Sequence, residues 1–419
     1  MASSAQSITF VDIIKAVIRE TISVLRSPVP IWIGILGSLR FGPDKKWSIG
    51  KLLEQQAEKI PDRPAVRINA LEWSYGKLNA RANQVAALLQ KQGIQQGDVV
   101  AIMMEAHPEL LACIAGVVKT GAIAGILNHN QRENVLAHSI GLIKPKLIIA
   151  SSDCTPALAT TCYTPEQDKK NDYFCLVDDV SSCPEGYVDL AHALKSMTEA
   201  NPVSTQEIRM KQPCFYVFTS GTTGLPKASI MTHYRWLMGM CGVGMFGTRL
   251  TADDVLYVTL PFYHNNALTV SWGSAMGAGA CMALSKKFSV SRFWEDVRQY
   301  RATAFCYIGE LCSYLMSQPA SDLDKQHMVR KIAGNGMRPD IWNEFKHRFG
   351  IERVAEFYGA SECNLAFINY MNLDRTVGMC PLPYAIIAYH PEEEIPLKNK
   401  KGKYNRVKKG EAGLLITKI

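Results

Sequence analysis

Apolar positions along the chain fall into two rhythms that take turns. IGKLLEQQAEKI and YGKLNARANQVAALLQKQG repeat at helical spacing, the first stopped by Pro61 and the second by Gly93. GDVVAIMM follows as a continuous apolar run of strand length. PELLACIAGVVKTG and RENVLAHSIGLI return to helical spacing, while AIAGIL and KLIIAS are short apolar runs between them. Further along, CFYVF, ASIMT, DDVLYVTLP, ATAFCYI, VRKIAGNG and RVAEFYG predict strands. A long helix from Tyr234 and helices over SRFWEDVRQYR and IWNEFKHRFG complete the set. This alternation predicts an α/β fold: mostly parallel sheets flanked by helices on both faces. Cys154 to Pro202 is polar and irregular, predicting surface loops with one short helix near LAHALKSM. The last forty residues lose the rhythm, and KNKKGKYNRVKKGE reads as a solvated hairpin edge or loop.

The amino terminus differs in kind. Asp12, Lys15, Arg19, Ser23 and Arg26 fall three or four apart and make one polar stripe of a helix. Phe10, Ile13, Ile14, Val17, Ile18, Ile22 and Leu25 cover its other faces. PVPIWIGILGSL, Pro28 to Leu39, follows as an apolar stretch. A spanning helix needs ~20 apolar residues, and neither segment supplies them without interruption. Residues 1–45 therefore read as an interfacial helix plus a shallow apolar wedge on the cytoplasmic face of a membrane. A helix packed on its own domain is the equal alternative.

Composition narrows the classes. The chain has 419 residues, 47% of them hydrophobic and 20% charged, which is globular and large enough for two or three packed subdomains. The net charge of +8 is spread out, and no aromatic-basic module appears, so nucleic acid is not an expected partner. The 12 cysteines lack CxxC pairs and zinc spacing, as free or buried thiols do.

The stretch YVFTSGTTGLPKAS, Tyr216 to Ser229, holds the densest chemistry. Gly221 and Gly224 let the backbone turn sharply and bring N–H groups toward an anion. Thr219, Ser220, Thr222 and Thr223 add hydroxyl donors, and Lys227 adds a positive charge. The spacing is not that of a Walker loop. A plain glycine-threonine surface turn is the bland reading, and it poorly explains so many donors behind an apolar strand.

That loop resembles the phosphate loop of the adenylate-forming (AMP-binding) superfamily. FTSGTTGLPKASIMTH, LPFYHNNALTV, ATAFCYIGELCSYL, GNGMRPDIW and EFYGASE occur in the family's order. Together they are similar to the fatty-acid transport protein, or very-long-chain acyl-CoA synthetase, branch, from about Trp47 onward. The resemblance implies an adenylation large domain over 46–419, with two sheet subdomains and an incomplete barrel-like subdomain at the end. It implies a long-chain or very-long-chain fatty acid, ATP, Mg²⁺ and coenzyme A as reactants, and an acyl-adenylate as intermediate. Uptake of the acid would be coupled to its activation.

Residue by residue, it implies Thr219 and Glu362 beside Mg²⁺, and Tyr358 stacked on adenine. Gly359, Ala360 and Ser361 would pass near the α-phosphate, and Gly334, Asn335 and Gly336 would line the adenine edge. His264 would shape the carboxylate site with Asn265 and Asn266 rather than act as a base. ALTVSWGSAMGAGA reads either as one wall of an acyl tunnel or as an ordinary buried helix. Members of the family continue into a Thr-Gly-Asp segment, a hinge and a small carboxy-terminal domain that carries a lysine. This sequence ends at GEAGLLITKI, so the expectation is phosphate binding without the residues for full turnover. A non-catalytic ATP- or lipid-binding remnant, a ligase for a bile or aromatic acid, and a homodimer stay open.

Overall fold

The computed structural model describes residues 8–26, 42–165, 172–177, 182–219, 224–361, 365–390, 392 and 395–417. The Pro28–Leu39 stretch lies outside the described residues. In chain order the first strands are β1 (Pro64–Ile68), β2 (Leu71–Ser74), β3 (Val99–Met103), β4 (Ile123–Ile126), β5 (Leu147–Ser151), β6 (Asp172–Leu176) and β7 (Val188–Asp189). Then come β8 (Pro213–Thr219), β9 (Lys227–Thr232), β10 (Val255–Val258), β11 (Cys281–Leu284), β12 (Ala304–Ile308), β13 (Lys331–Asn335), β14 (Arg353–Gly359) and β15 (Ala366–Ile368).

These strands build two sheets. One runs β7-β6-β5-β3-β4-β8-β9, and the other β15-β14-β13-β12-β10-β11-β1-β2. Pairing is parallel except at β8–β9, β14–β15 and β1–β2, so only sheet margins are antiparallel. The strands that the apolar runs predict thus form mostly parallel sheets.

Strand alternation sends neighbouring side chains to opposite layers. Val100 and Ile102 of β3 share a central core with Leu256 and Val258 of β10 and with helices Ile49–Lys59, Tyr75–Lys91 and Pro108–Lys119. Ala101 and Met103 pack outward with Leu136 and Ile140 of helix Glu133–Ile143. Tyr257, Phe305 and Val354 of the second sheet pack outward against helices Phe293–Gln299, Gly309–Met316 and Trp342–Phe349. The order of layers is helix, sheet, helix, sheet, helix. A polar knot locks the middle layer. Fully buried Lys119 donates to Glu54 at 3.0 Å, Asn79 at 2.6 Å and Asn83 at 2.5 Å, joining its three helices. Burial pulls its ammonium down to about 8.

Several elements differ from the sequence expectation. The irregular Cys154–Pro202 stretch contributes β6, whose Tyr173, Phe174 and Cys175 are buried beside β5. The helix expected from Tyr234 starts at His233 but widens into a π-helix over Met240–Thr248. ALTVSWGSAMGAGA likewise opens as a π-turn, Asn266–Ser271, before an α-helix, Trp272–Ala278. These two segments cross at very short range: a Cβ on Gly244 would lie 2.7 Å from the Cα of Ser274. ALTVSWGSAMGAGA is thus buried, with Ala267, Leu268 and Trp272 in the central core.

Near the end, Tyr384–Ile387 pairs antiparallel with Leu414–Thr417, and Tyr389–His390 with Ile395–Pro396. No closed barrel forms among the described residues. Helix Phe10–Arg26 docks along the line of Ala16 and Glu20, while Asp12 and Lys15 of the polar stripe stay exposed. Among its described side chains Ala16 and Glu20 are buried, and Glu20 pairs with Arg353 and, at 2.8 Å, with Arg249. Arg19 donates to the carbonyls of Met371 and Asn372. The apolar side is left outward, with Phe10 75% and Ile18 55% exposed.

Candidate functional site

Strands β8 and β9 form a hairpin whose last pair sets Thr219 opposite Lys227. The loop between them is the glycine-threonine stretch, and Gly224 takes a left-handed φ of +86° that favours glycine. Ser220, Gly221, Thr222 and Thr223 lie outside the described residues, as does Glu362. The hairpin is braced from the first sheet's outer helix, where His138 Nε2–H donates to the Pro226 carbonyl at 3.0 Å.

The second sheet delivers its motifs to the same region from the carboxyl ends of β12, β13 and β14, where ligands sit in open α/β sheets. Ser361 is the junction. Its carbonyl accepts from Ser229 Oγ of β9 at 2.9 Å and from Arg235 at 2.6 Å. Its Oγ accepts from Asn265 Nδ2 at 2.6 Å, and Thr269 Oγ1 in turn donates to Asn265 Oδ1 at 3.0 Å. Asn266 Nδ2 donates to the Tyr307 carbonyl at 3.0 Å and reaches Asn335 Oδ1 at 3.3 Å. One web of contacts therefore links the hairpin, the FYHNN turn, GNG and the EFYGAS turn.

His264 sits next to Asn265 with its ring 4.5 Å from that of Tyr263, edge to face. It is exposed at the surface, yet neighbouring protein withdraws water and pulls its imidazole below the usual value. That shift favours the neutral ring at pH 7. Tyr358 is 55% exposed, open to stack on a flat partner, with the Phe367 ring 6.3 Å away. Gly359 and Ala360 are exposed beside it.

Close backbone approach explains the GNG glycines. A Cβ on Gly334 would stand 2.2 Å from the Tyr307 carbonyl oxygen, and Gly336 adopts φ +83°. Sequence reasoning missed what holds this turn. Glu356 of β14 is 3% exposed, and its carboxyl accepts from the N–H of Gly336 at 2.5 Å, of Met337 at 3.2 Å and from the Tyr307 hydroxyl. An acidic residue inside the apolar strand RVAEFYG was the available signal.

Burial pushes the Glu356 carboxyl up to about 7, against the pull of those three donors; buried Cys312 also faces it. Its folded pKa exceeds the unfolded 4.5, so the group contributes stability that is complete below pH 4.5 and lost as pH rises through about 7. Glu356→Gln keeps the amide acceptor and cannot ionise. It is expected to flatten the fall in melting temperature between about pH 5 and 8; identical profiles for both proteins would contradict the assignment.

Among the described residues no group of three or more His, Cys, Asp or Glu gathers as for a metal, and every cysteine is free. Thr219, half-buried at the end of β8, offers a hard hydroxyl oxygen of the kind Mg²⁺ takes beside phosphates.

Two open sheets with a glycine-threonine hairpin facing an aromatic-glycine turn define an adenylate-forming α/β enzyme fold. Residues 53–418 match the family described as AMP-binding enzyme, and the chain belongs to that family. It is 45% identical over 386 residues to the Medium/long-chain-fatty-acid--CoA ligase FadD6 of Mycobacterium tuberculosis, across 92% of this chain and 63% of that protein. It is 37% identical over 387 residues to the human Long-chain fatty acid transport protein 1, across 89% of this chain and 58% of that one. The chain thus spans about three fifths of the curated relatives it matches. The crystal structure of the anthranilate CoA ligase AuaEII in complex with anthranoyl-AMP shares the fold at TM-score 0.75 and 16% identity, covering 88% of this chain and 69% of that one.

Proposed function

We propose that this chain is the nucleotide-gripping large domain of a long-chain or very-long-chain fatty acid–CoA ligase that forms an acyl-adenylate. The convergence of the hairpin and the two facing turns on Ser361 carries the reading, supported by the likeness to FadD6. A carboxylate oxygen attacks the α-phosphorus of ATP, and the bond to the β-phosphate breaks to release pyrophosphate. The coenzyme A sulfur then attacks the acyl carbon and AMP leaves.

No base is needed for the first step, because a carboxylic acid of pKa ~4–5 is ionised at neutral pH. A neutral His264 fits that scheme: it positions and desolvates the carboxylate. Tyr358 stacks on adenine, the Gly334–Gly336 segment lines the base edge, and Lys227 with the loop amides holds phosphate charge. Mg²⁺, beside Thr219 and Glu362, would shield the phosphates.

We extend the reading to the amino-terminal segment. Helix Phe10–Arg26 keeps its Ala16–Glu20 edge on the domain and presents apolar side chains outward, the arrangement of an interfacial helix resting on a cytoplasmic membrane face. Among the described residues no helix is long and apolar enough to cross a membrane. Trapping the acid as a charged thioester would draw it inward without a pore.

Fatty-acid-dependent pyrophosphate release, with palmitate and a longer acid, with and without coenzyme A, tests the reading. His264→Ala is expected to lower the release rate at least ~100-fold, as lost orientation at a reacting centre does, while ATP affinity stays within about twofold. Equal loss of ATP affinity would remove His264 from the carboxylate site.

A further inference from the structure

We propose that Arg235 is a positioning residue for the phosphate end of the nucleotide, acting by setting the height of the Ser361 turn over the cleft. The proposal rests on the nucleotide reading above. Arg235 lies in the first turn of the helix His233–Gly239, which follows β9, and its N–H donates to the capping hydroxyl of Thr232 at 3.2 Å. From there the guanidinium spans two backbone carbonyls. Nη1 donates to Ile230 of β9 at 2.7 Å, and Nη2 donates to Ser361 at 2.6 Å.

Those two carbonyls are tied to different sheets. Ile230 lies on the margin of the seven-stranded sheet, and Ser361 stands in the turn two residues past the end of β14 of the eight-stranded one. The planar fork of arginine holds both at fixed separation, which the single ammonium of lysine does not do. Ser229 Oγ adds a second donor to the same Ser361 oxygen at 2.9 Å. Strand β9 therefore carries Lys227, Ser229 and the fork's first anchor within four consecutive residues, Lys227 to Ile230. The element that closes the phosphate loop also sets where the facing turn stands.

The state of the Ser361 hydroxyl makes that placement useful. Its Oγ accepts from Asn265, and the hydroxyl keeps a proton it can donate to a ligand oxygen. Displacing this carbonyl would shift the hydroxyl with it, because both belong to the same residue. A hydrogen bond from a charged donor to a carbonyl is among the stronger contacts available here.

The test is binding of MgATP and of adenosine to the full chain by calorimetry. Arg235→Ala is expected to weaken MgATP about tenfold, the worth of one charge-assisted hydrogen bond, with adenosine affinity unchanged. Arg235→Lys, able to reach one carbonyl but not both, falls between. Ser229→Ala, which removes the neutral donor and leaves the fork, is expected to weaken MgATP about threefold in the same selective way. If Arg235→Ala fails to fold, the Ser229 variant decides alone. Equal weakening of MgATP and adenosine, or no change in a folded variant, overturns the proposal. Absence of MgATP binding in the unsubstituted chain would instead overturn the nucleotide reading on which it stands.

Discussion

Gly309→Ala is expected to cost about 3 kcal/mol or more of stability and at least tenfold in nucleotide affinity, the penalty of forcing atoms into a packed backbone. The added Cβ would stand 1.8 Å from the carbonyl oxygen of Gly336 and 2.6 Å from its carbonyl carbon. Neither neighbour is the end of a flexible side chain, so the clash is relieved only by moving the Gly336 turn. That turn is pinned on its other side by Glu356 through two backbone amides. Something must give, and the Glu356 bonds are the contacts that would break. Thermal melting with and without ATP reads both effects. A variant with lowered melting but normal affinity would show that the GNG turn does not line the base, and normal melting would contradict the clash.

Glu20→Ala is expected to release the amino-terminal helix. Glu20 is the acidic partner between Arg353, of which burial brings the guanidinium down to about 10, and Arg249. Removing one member of a buried ion pair costs about 3–5 kcal/mol, because the remaining charge stays desolvated. Here the helix can leave and let water reach the arginines, so the loss appears locally. Amide exchange over Phe10–Arg26 is expected to rise on the order of 100-fold, since each 1.4 kcal/mol is a factor of ten. Exchange in β3, a fully buried strand, should stay the same. Unchanged protection of the helix would show that apolar contacts, not Glu20, hold it. The comparison bears on the membrane reading, since a released helix no longer presents Phe10 and Ile18 at a fixed angle.

The central strands were legible because parallel strands buried on both faces are continuous apolar runs: VVAIM and LIIAS need no context. β1 and β2 were not legible. PAVRI opens on proline and carries Arg67, and LEWS carries Glu72, as suits a sheet margin where those two side chains pair. β11 was hidden because GAGACMAL continues a run of small residues with no break in pattern. The π-segments depend on Gly244 meeting Ser274 from a different helix, a contact that no local window contains.

The amino-terminal helix shows the same limit from the other side. Its amphipathic pattern is equally consistent with either face packing inward. The choice is made by Arg353, 333 positions later. For the site, the ordered motifs carried the residues that would face a ligand. Glu356, Arg235 and Ser229 escaped because they act on backbone groups, and those partners leave no mark in sequence.

The most direct measurement is calorimetric binding of MgATP and of a non-hydrolysable palmitoyl-adenylate mimic, a palmitoyl sulfamate of adenosine, to the full chain. An enzyme binds species near its transition state far more tightly than its substrates. The account predicts saturable MgATP binding, displaced by the mimic with an affinity at least ~100-fold higher. A chain that is folded but binds neither compound, or binds the mimic no better than ATP, would contradict it.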